Sequence, residues 1–326
     1  MKIILTLNNF LINNINLKMN TTLDNKKNNI KKLKKIKSIN AHNDWVSAVS
    51  VFPSGKIISV SDDKSIKIWE NSFKLLQKIN DAHYDEIIDV NIKDENNFVT
   101  SSDDKHIKTW IKIDNFFTIN QIIKKAHNLG IRKIIYLENY NIISCSIDKT
   151  IKIWEFVNNK YQLMTIIKDL SYVKSLLLLK DKNILISSGD NGTKFWNFNH
   201  FNLICSFNKV WCGTYNALER IDENRIIVGG KHSLEVISIL YKTIIISIDN
   251  EWICNGIKVI ENKRIFLVSG WSNDIKMFSI DNYQCIEIIK NAHIEHIVGF
   301  CILNNDLIIS YGGDCKFKVW KLFDIE

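Results

Sequence analysis

The sequence predicts an all-β chain of seven similar four-stranded antiparallel units, and three observations predict it. A repeated pattern, fullest as Ala-His, a short apolar run, Ser-Asp and then Ile-Lys-Ile-Trp, ends at residues 69, 110, 154, 196, 237, 278 and 320, in steps of 41, 44, 42, 41, 41 and 42. Within each unit polar and apolar residues alternate with period two, the period of a strand. The length of 326 residues exceeds the roughly 250–300 at which a single core stops growing, and a repeat array resolves the excess.

The first unit shows how each element is read. Strands are expected at about 46–51, 57–61, 66–70 and 74–79, each rich in β-branched or aromatic residues. Pro53-Ser54-Gly55 and Asp62-Asp63-Lys64 separate them as turns. The second and third units repeat the scheme, with Asp103-Asp104-Lys105 as a turn and Thr150-Ile151-Lys152-Ile153-Trp154 as an alternating strand. Asn191-Gly192 in the fourth is a two-residue hairpin signal. His42 to Trp69, His83 to Trp110, His127 to Trp154 and His293 to Trp320 all span the same interval of 27. The intervening unit ends are Trp196, Ile237 and Phe278.

On these residues the chain resembles the WD-repeat β-propellers with seven blades, over about residues 41–326. It departs from the family's terminal Trp-Asp pair, since Glu70, Glu155 and Lys321 follow Trp69, Trp154 and Trp320. The resemblance implies a ring of blades. Residues 31–39 fill the slot of an outer strand before His42 but have no blade of their own, while only six residues follow Trp320. The N-terminal strand is therefore expected to pair onto the last blade and close the ring, leaving only short edges exposed. The domain reading is a flexible Asn/Lys-rich segment 1–30 and a propeller over 31–326.

Composition narrows the function. At 46% apolar and 24% charged the chain has globular composition, and no apolar run reaches the roughly 18 residues of a membrane-spanning helix. Ile3–Leu7 is shorter than a signal-peptide core. The seven cysteines are odd in number and never stand as Cys-x-x-Cys, which points to free thiols in a reducing compartment, cytoplasmic or nuclear. The net charge of +8 resides wholly in residues 1–40, with nine lysines and one acid, Asp24; the remaining 286 residues carry 34 basic and 34 acidic side chains. A nucleic-acid interface on the neutral body is disfavoured, and only the basic segment 26–37 offers one.

Recurring Ser, His and Asp residues are the ingredients of a hydrolase triad, but three full sets in one chain argue for architecture. The resemblance implies that Trp donates to Ser, Ser bonds His, and His bonds Asp. The expected sets are His42, Ser61, Asp63 and Trp69; His83, Ser102, Asp104 and Trp110; and His127, Ser146, Asp148 and Trp154. Blade four keeps Ser188, Asp190 and Trp196, with Asp169 in the His position. Blade seven keeps His293, Asp314 and Trp320, with Gly312 in the Ser position. Blades five (Val210, Gly229, Lys231, Ile237) and six (Glu251, Gly270, Ser272, Phe278) lose the set and are expected to hold their turns by packing alone, with looser loops.

No Walker loop, Gly-x-Gly-x-x-Gly or His-Glu-x-x-His motif occurs, and His293 with His296 lacks further ligands at metal spacing apart from Glu295. No cofactor, metal site or catalytic residue is assigned. In a propeller of this register, loop residues reach a shared face around the channel. They are Trp45, Asp62, Glu86, Asp103, Arg132, Tyr172, Lys174, Tyr215, Trp271 and His296, joined by Trp211 and Trp252 one residue past the His position in blades five and six. Tryptophan and tyrosine favour binding hot spots, so the expected function is a non-catalytic scaffold that holds proteins or peptides on this face.

Overall fold

The structure, a computed structural model, describes residues 30–325 except 211, 214, 215, 305 and 306. Segment 1–29, including most of the expected flexible terminus, lies outside the described residues, as do Trp211 and Tyr215. Residues 33–323 form one compact unit; residues 1–32 with 324–326 group as a second, whose described members are strand ends.

Among the described residues twenty-eight strands make seven four-stranded antiparallel sheets, each a blade. In blade one the strands are Val46–Val51, Ile57–Ser61, Ile66–Trp69 and Leu75–Ile79, hydrogen-bonded in that order. Burial falls along the blade: every residue of Ile57–Ser61 is buried, while Leu75 and Leu76 of the fourth strand are exposed. In blade seven the fourth place is taken by Ile30–Asn40, which pairs with the strand Lys316–Ile325 and closes the ring.

Cores lie between neighbouring blades. Ala48, Phe52, Ile58 and Val60 of blade one pack with Ile87, Val90, Phe98 and Trp110 of blade two. Val298, Ile309 and Phe317 of blade seven meet Val46, Val49 and Trp69 of blade one. Leu33 anchors the closing strand: it is 5% exposed and packs with Phe300, Trp320 and Leu322. Its backbone N–H also donates to Glu287 at 3.0 Å, on the outer strand of blade six. Burying a leucine contributes roughly 1.5–3 kcal/mol, so this one side chain is a sizeable part of the closure. By contrast Lys32, Lys34, Lys35 and Lys37 on the same strand are exposed, a charge pattern that blunts an edge.

The turn between the second and third strands recurs as a local unit. Asp63 accepts from the backbone N–H of Ser65 at 3.0 Å and of Asn43 at 3.0 Å, tying the turn to the loop that enters the blade. Asp104 and Asp148 do the same for Tyr84 and Asn128, each at 3.0 Å. Cys145 and Cys254 are buried, and burial pushes their thiols up, away from the reactive thiolate. No helix among the described residues is long and apolar enough to cross a membrane.

Candidate functional site

The polar chains inside the blades and the residues around the channel are separate constructions. In blade one the Trp69 indole donates to Ser59 Oγ at 2.9 Å, Ser59 bonds His42 Nε2 at 2.8 Å, and His42 Nδ1 bonds Asp63 at 3.1 Å. Blades two and three repeat the chain through Thr100 and Ser144. Blade seven completes it through Ser310, at 2.7, 2.6 and 2.8 Å. The hydroxyl therefore sits two residues before the position expected from the sequence. Ser61, Ser102 and Ser146 serve the turns instead, each accepting the backbone N–H of the turn aspartate, at 2.9–3.0 Å.

Register explains the shift. Ile57 lies opposite Trp69 and Ser59 opposite Lys67, so Ser59 is the diagonal neighbour of the indole on the same face. Ser61 is two residues further along, at the strand end. Blade four follows the same rule: Ser187 faces Lys194 and accepts from Trp196 at 2.8 Å. Ser188 points to the opposite face and bonds Thr193 at 2.7 Å. The blade-four turn is one residue shorter, with Gly189 opposite Gly192, so Asp190 leaves the polar chain for the surface, where Lys174 reaches it at 2.6 Å.

Sequence reasoning also missed a fifth member, the lysine of Ile-Lys-Ile-Trp. Lys108 is 5% exposed and donates to the Ala82 carbonyl at 2.6 Å. Lys152 and Lys318 likewise reach Ala126 and Ala292, at 2.6 and 2.8 Å, and Lys67 reaches Ala41. Where the Ala-His pair is absent the lysine finds another acceptor: Asp169 in blade four and Asn250 in blade six, the latter at 3.3 Å. Blade six therefore keeps a polar link as well as the stacked Phe266–Phe278 pair, and packing is not its only tie. Glu251, which spacing puts in the His position, is exposed and 4.0 Å from Lys276. In blade five Glu235 replaces the lysine and accepts from Ser233 at 2.8 Å.

The electrostatics of the buried chains fit a fixed tautomer. Burial lowers the pKa of His42, His83, His127 and His293, against the upward pull of their aspartates. A neutral imidazole donates from Nδ1 to the carboxylate and accepts the hydroxyl proton at Nε2, leaving the hydroxyl oxygen to accept from indole. Burial pushes Asp63, Asp104, Asp148 and Asp314 up, but hydrogen bonds from histidine and backbone outweigh it and hold them well below the usual carboxylate range. Each hydroxyl is thus committed in both directions, donating to imidazole and accepting from indole.

Around the channel seven of the face residues come together. Trp45, Asp62, Glu86, Asp103, Arg132, Trp271 and His296 line one cavity of about 220 Å³. Its remaining lining is Ser47, Ile88, Asn255 and Val298. Ser47, Ile88 and Val298 stand five residues past the blade histidine, the same spacing that singled out Arg132, so their position was readable even where their type was bland. Backbone bonds pair loop with turn and so set the side chains two by two: Asp62 N–H to the Trp45 carbonyl at 3.1 Å, Asp103 N–H to that of Glu86 at 3.0 Å.

Within the cavity His296 stacks on Trp271, with centroids 5.5 Å apart and planes 9° from parallel, and meets the edge of Trp45 at 4.3 Å. Trp271 is 63% and Trp45 39% exposed. Ser47 donates to Asp62 at 2.7 Å, and Arg132 pairs with Asp103. Asp62 is pushed up to about 7 by burial and then by the charges of Glu86, Asp44 and Asp103. Burial likewise raises Glu86 and lowers His296. Three other expected face residues do not line this cavity. Tyr172 and Lys174 belong to the blade-four surface around Asp190. Trp252 packs under Lys276, 4.0 Å from its ring centre.

Among the described residues no group of three or more His, Cys, Asp or Glu side chains is placed to hold a metal ion. The family model described as WD domain, G-beta repeat matches residues 33–70 and 120–155. No curated protein matches the chain. The first matched stretch runs from the closing strand through Trp69 of blade one, and the second ends just past Trp154 of blade three. The chain is thus a seven-bladed β-propeller in which two stretches match the WD repeat.

Proposed function

We propose that the protein is a non-catalytic scaffold that holds protein or peptide partners on the face where Trp45, Trp271 and His296 converge. WD-repeat propellers generally act as protein-interaction scaffolds, and the observation that carries the reading here is the half-open aromatic cluster on the channel face. Two tryptophans with 63% and 39% exposure are large apolar surfaces left to water, and such residues dominate binding energy when covered. The Ser, His and Asp side chains contribute to the blades. Replacing both Trp45 and Trp271 by alanine should abolish binding of a partner while leaving the melting temperature unchanged. Undiminished binding by that variant would end the assignment.

A second reading draws on the basic segment 26–37 as a contact for nucleic acid, with Lys26 and Lys27 inside residues 1–30 and the exposed Lys32, Lys34, Lys35 and Lys37 on the closing strand. RNA and DNA binding at two salt concentrations, with and without residues 1–30, separates the two. A steep salt dependence that is lost on truncation would favour the nucleic-acid reading.

A further inference from the structure

We propose that the cavity between Trp45, His296 and Trp271 receives a cationic side chain of a basic peptide, arginine before lysine, with Asp62 and Glu86 as its counter-charge. The inference rests on the face reading above and specifies its ligand. Aromatic walls and carboxylates are two independent signals for a cation: ring faces attract positive charge, and carboxylate oxygens pair with it. The cavity offers both within about 220 Å³. Its Arg132 pairs with Asp103 and reaches Glu86 only through its charge, so among the described residues neither Asp62 nor Glu86 is held in an ion pair. Ser47 bonds only one Asp62 oxygen, Oδ1.

The preference for arginine follows from shape. A planar guanidinium can stack on the exposed indole of Trp271 and present a two-pronged donor edge to a carboxylate, whereas an ammonium can only act as a point charge. His296, neutral at pH 7 because burial lowers its pKa, backs the indole without repelling the guest. Crowding supplies a drive. Asp44, Asp62, Glu86 and Asp103 share one small region, with Arg132 the nearby positive charge and His296 neutral. An entering cation relieves that repulsion and favours the ionised form of Asp62. Binding should therefore release a proton and strengthen as pH rises from 6 to 8, across the value of about 7 for Asp62.

The test titrates the full chain with the peptide acetyl-Gly-Gly-Arg-Gly-Gly-amide and with its lysine, citrulline and glutamate counterparts, read by tryptophan fluorescence and calorimetry. Citrulline keeps the shape of arginine without the charge. The arginine peptide should bind best, with citrulline about tenfold weaker and glutamate undetectable. Asp62→Asn should cost about tenfold, the loss of one partly buried charge contact. Trp271→Ala should abolish binding, and Tyr241→Ala, exposed on blade five, should leave it intact. Affinity should be higher at pH 8 than at pH 6 for the native chain and flat for Asp62→Asn. Citrulline binding as tightly as arginine, an unchanged Asp62→Asn variant, or no binding of any peptide would overturn the proposal. Lysine binding as tightly as arginine would overturn the preference for a guanidinium. If a protein partner still needs Trp45 and Trp271 while arginine and citrulline bind alike, the cation assignment falls and the face reading stands.

Discussion

Replacing Ser59 by alanine removes one oxygen that serves two buried groups. The hydroxyl accepts from the Trp69 indole at 2.9 Å and bonds His42 Nε2 at 2.8 Å, and Ser59 is 0% exposed. Among the described residues neither the Trp69 indole N–H nor His42 Nε2 has another hydrogen-bond partner, and the space vacated is that of a single hydroxyl. Each buried polar group left without a partner costs about 1–3 kcal/mol, so Ser59→Ala should destabilise by about 2–4 kcal/mol. Ser61→Ala is the matched control. It is equally buried, but its hydroxyl accepts the Asp63 N–H at 3.0 Å and reaches the Asp44 carbonyl at only 3.3 Å. Its loss should cost about 1 kcal/mol. Urea unfolding of both variants at pH 7.5, followed by tryptophan fluorescence, measures the difference directly. A Ser61→Ala variant as unstable as Ser59→Ala, or more so, would refute the assignment of the polar chain.

Three further outcomes follow from the same geometry. Acidification should destabilise the fold from about pH 6.5 downward: the unfolded chain protonates its histidines there, while His42, His83, His127 and His293 resist, at a cost of up to about 1.4 kcal/mol per pH unit for each that stays neutral. The depressed aspartates add to the loss only below their unfolded value of 3.8, so a series of urea midpoints from pH 8 to 4 should already fall between 6.5 and 5 and be flatter in a chain with these four histidines replaced. Lys194→Met should cost about 1–3 kcal/mol by leaving Asp169 only the backbone N–H groups of Leu170 and Ser171 as partners, the paired side chains being 9% and 8% exposed, and adding Asp169→Asn should recover part of the loss in a double-mutant cycle. Leu33→Ala should cost about 2–4 kcal/mol and speed proteolysis at the ring closure, measured by limited trypsin digestion, since Leu33 fills the core beside Trp320.

The fold was legible because two signals reinforce each other: a near-constant spacing of Trp69, Trp110, Trp154, Trp196 and Trp320, and period-two alternation between them. Ring closure followed from a count of strands, and the strand Ile30–Asn40 occupies the place that count left open. The hydroxyl was misplaced because Ser59 and Ser61 share one face of the same strand, so alternation cannot separate them; only the register against Trp69 does. Asp190 was misread for a related reason. A turn shortened by one residue brings the bonded pair Ser187–Trp196 to nine apart instead of the ten of Ser59–Trp69 and moves the aspartate to the surface, while Ser188 on the other face keeps the spacing of Ser61 to Trp69. The buried lysines escaped notice because an alternating strand makes its polar residues look solvent-facing, yet Lys108 and Lys318 reach carbonyls of the neighbouring entry loop. On the face, spacing alone brought seven residues to one cavity, whereas Trp252 lies outside it under Lys276.

The division of labour between girders and binding face is open to one measurement, the indole N–H signals of tryptophan in an NMR titration with the arginine peptide. The indoles of Trp69, Trp110, Trp154, Trp196 and Trp320 each donate to a buried hydroxyl. They should exchange slowly with deuterium and stay in place during the titration, while the signals of Trp45 and Trp271 exchange fast and move. Movement of the five buried signals with Trp45 and Trp271 unmoved would contradict the account.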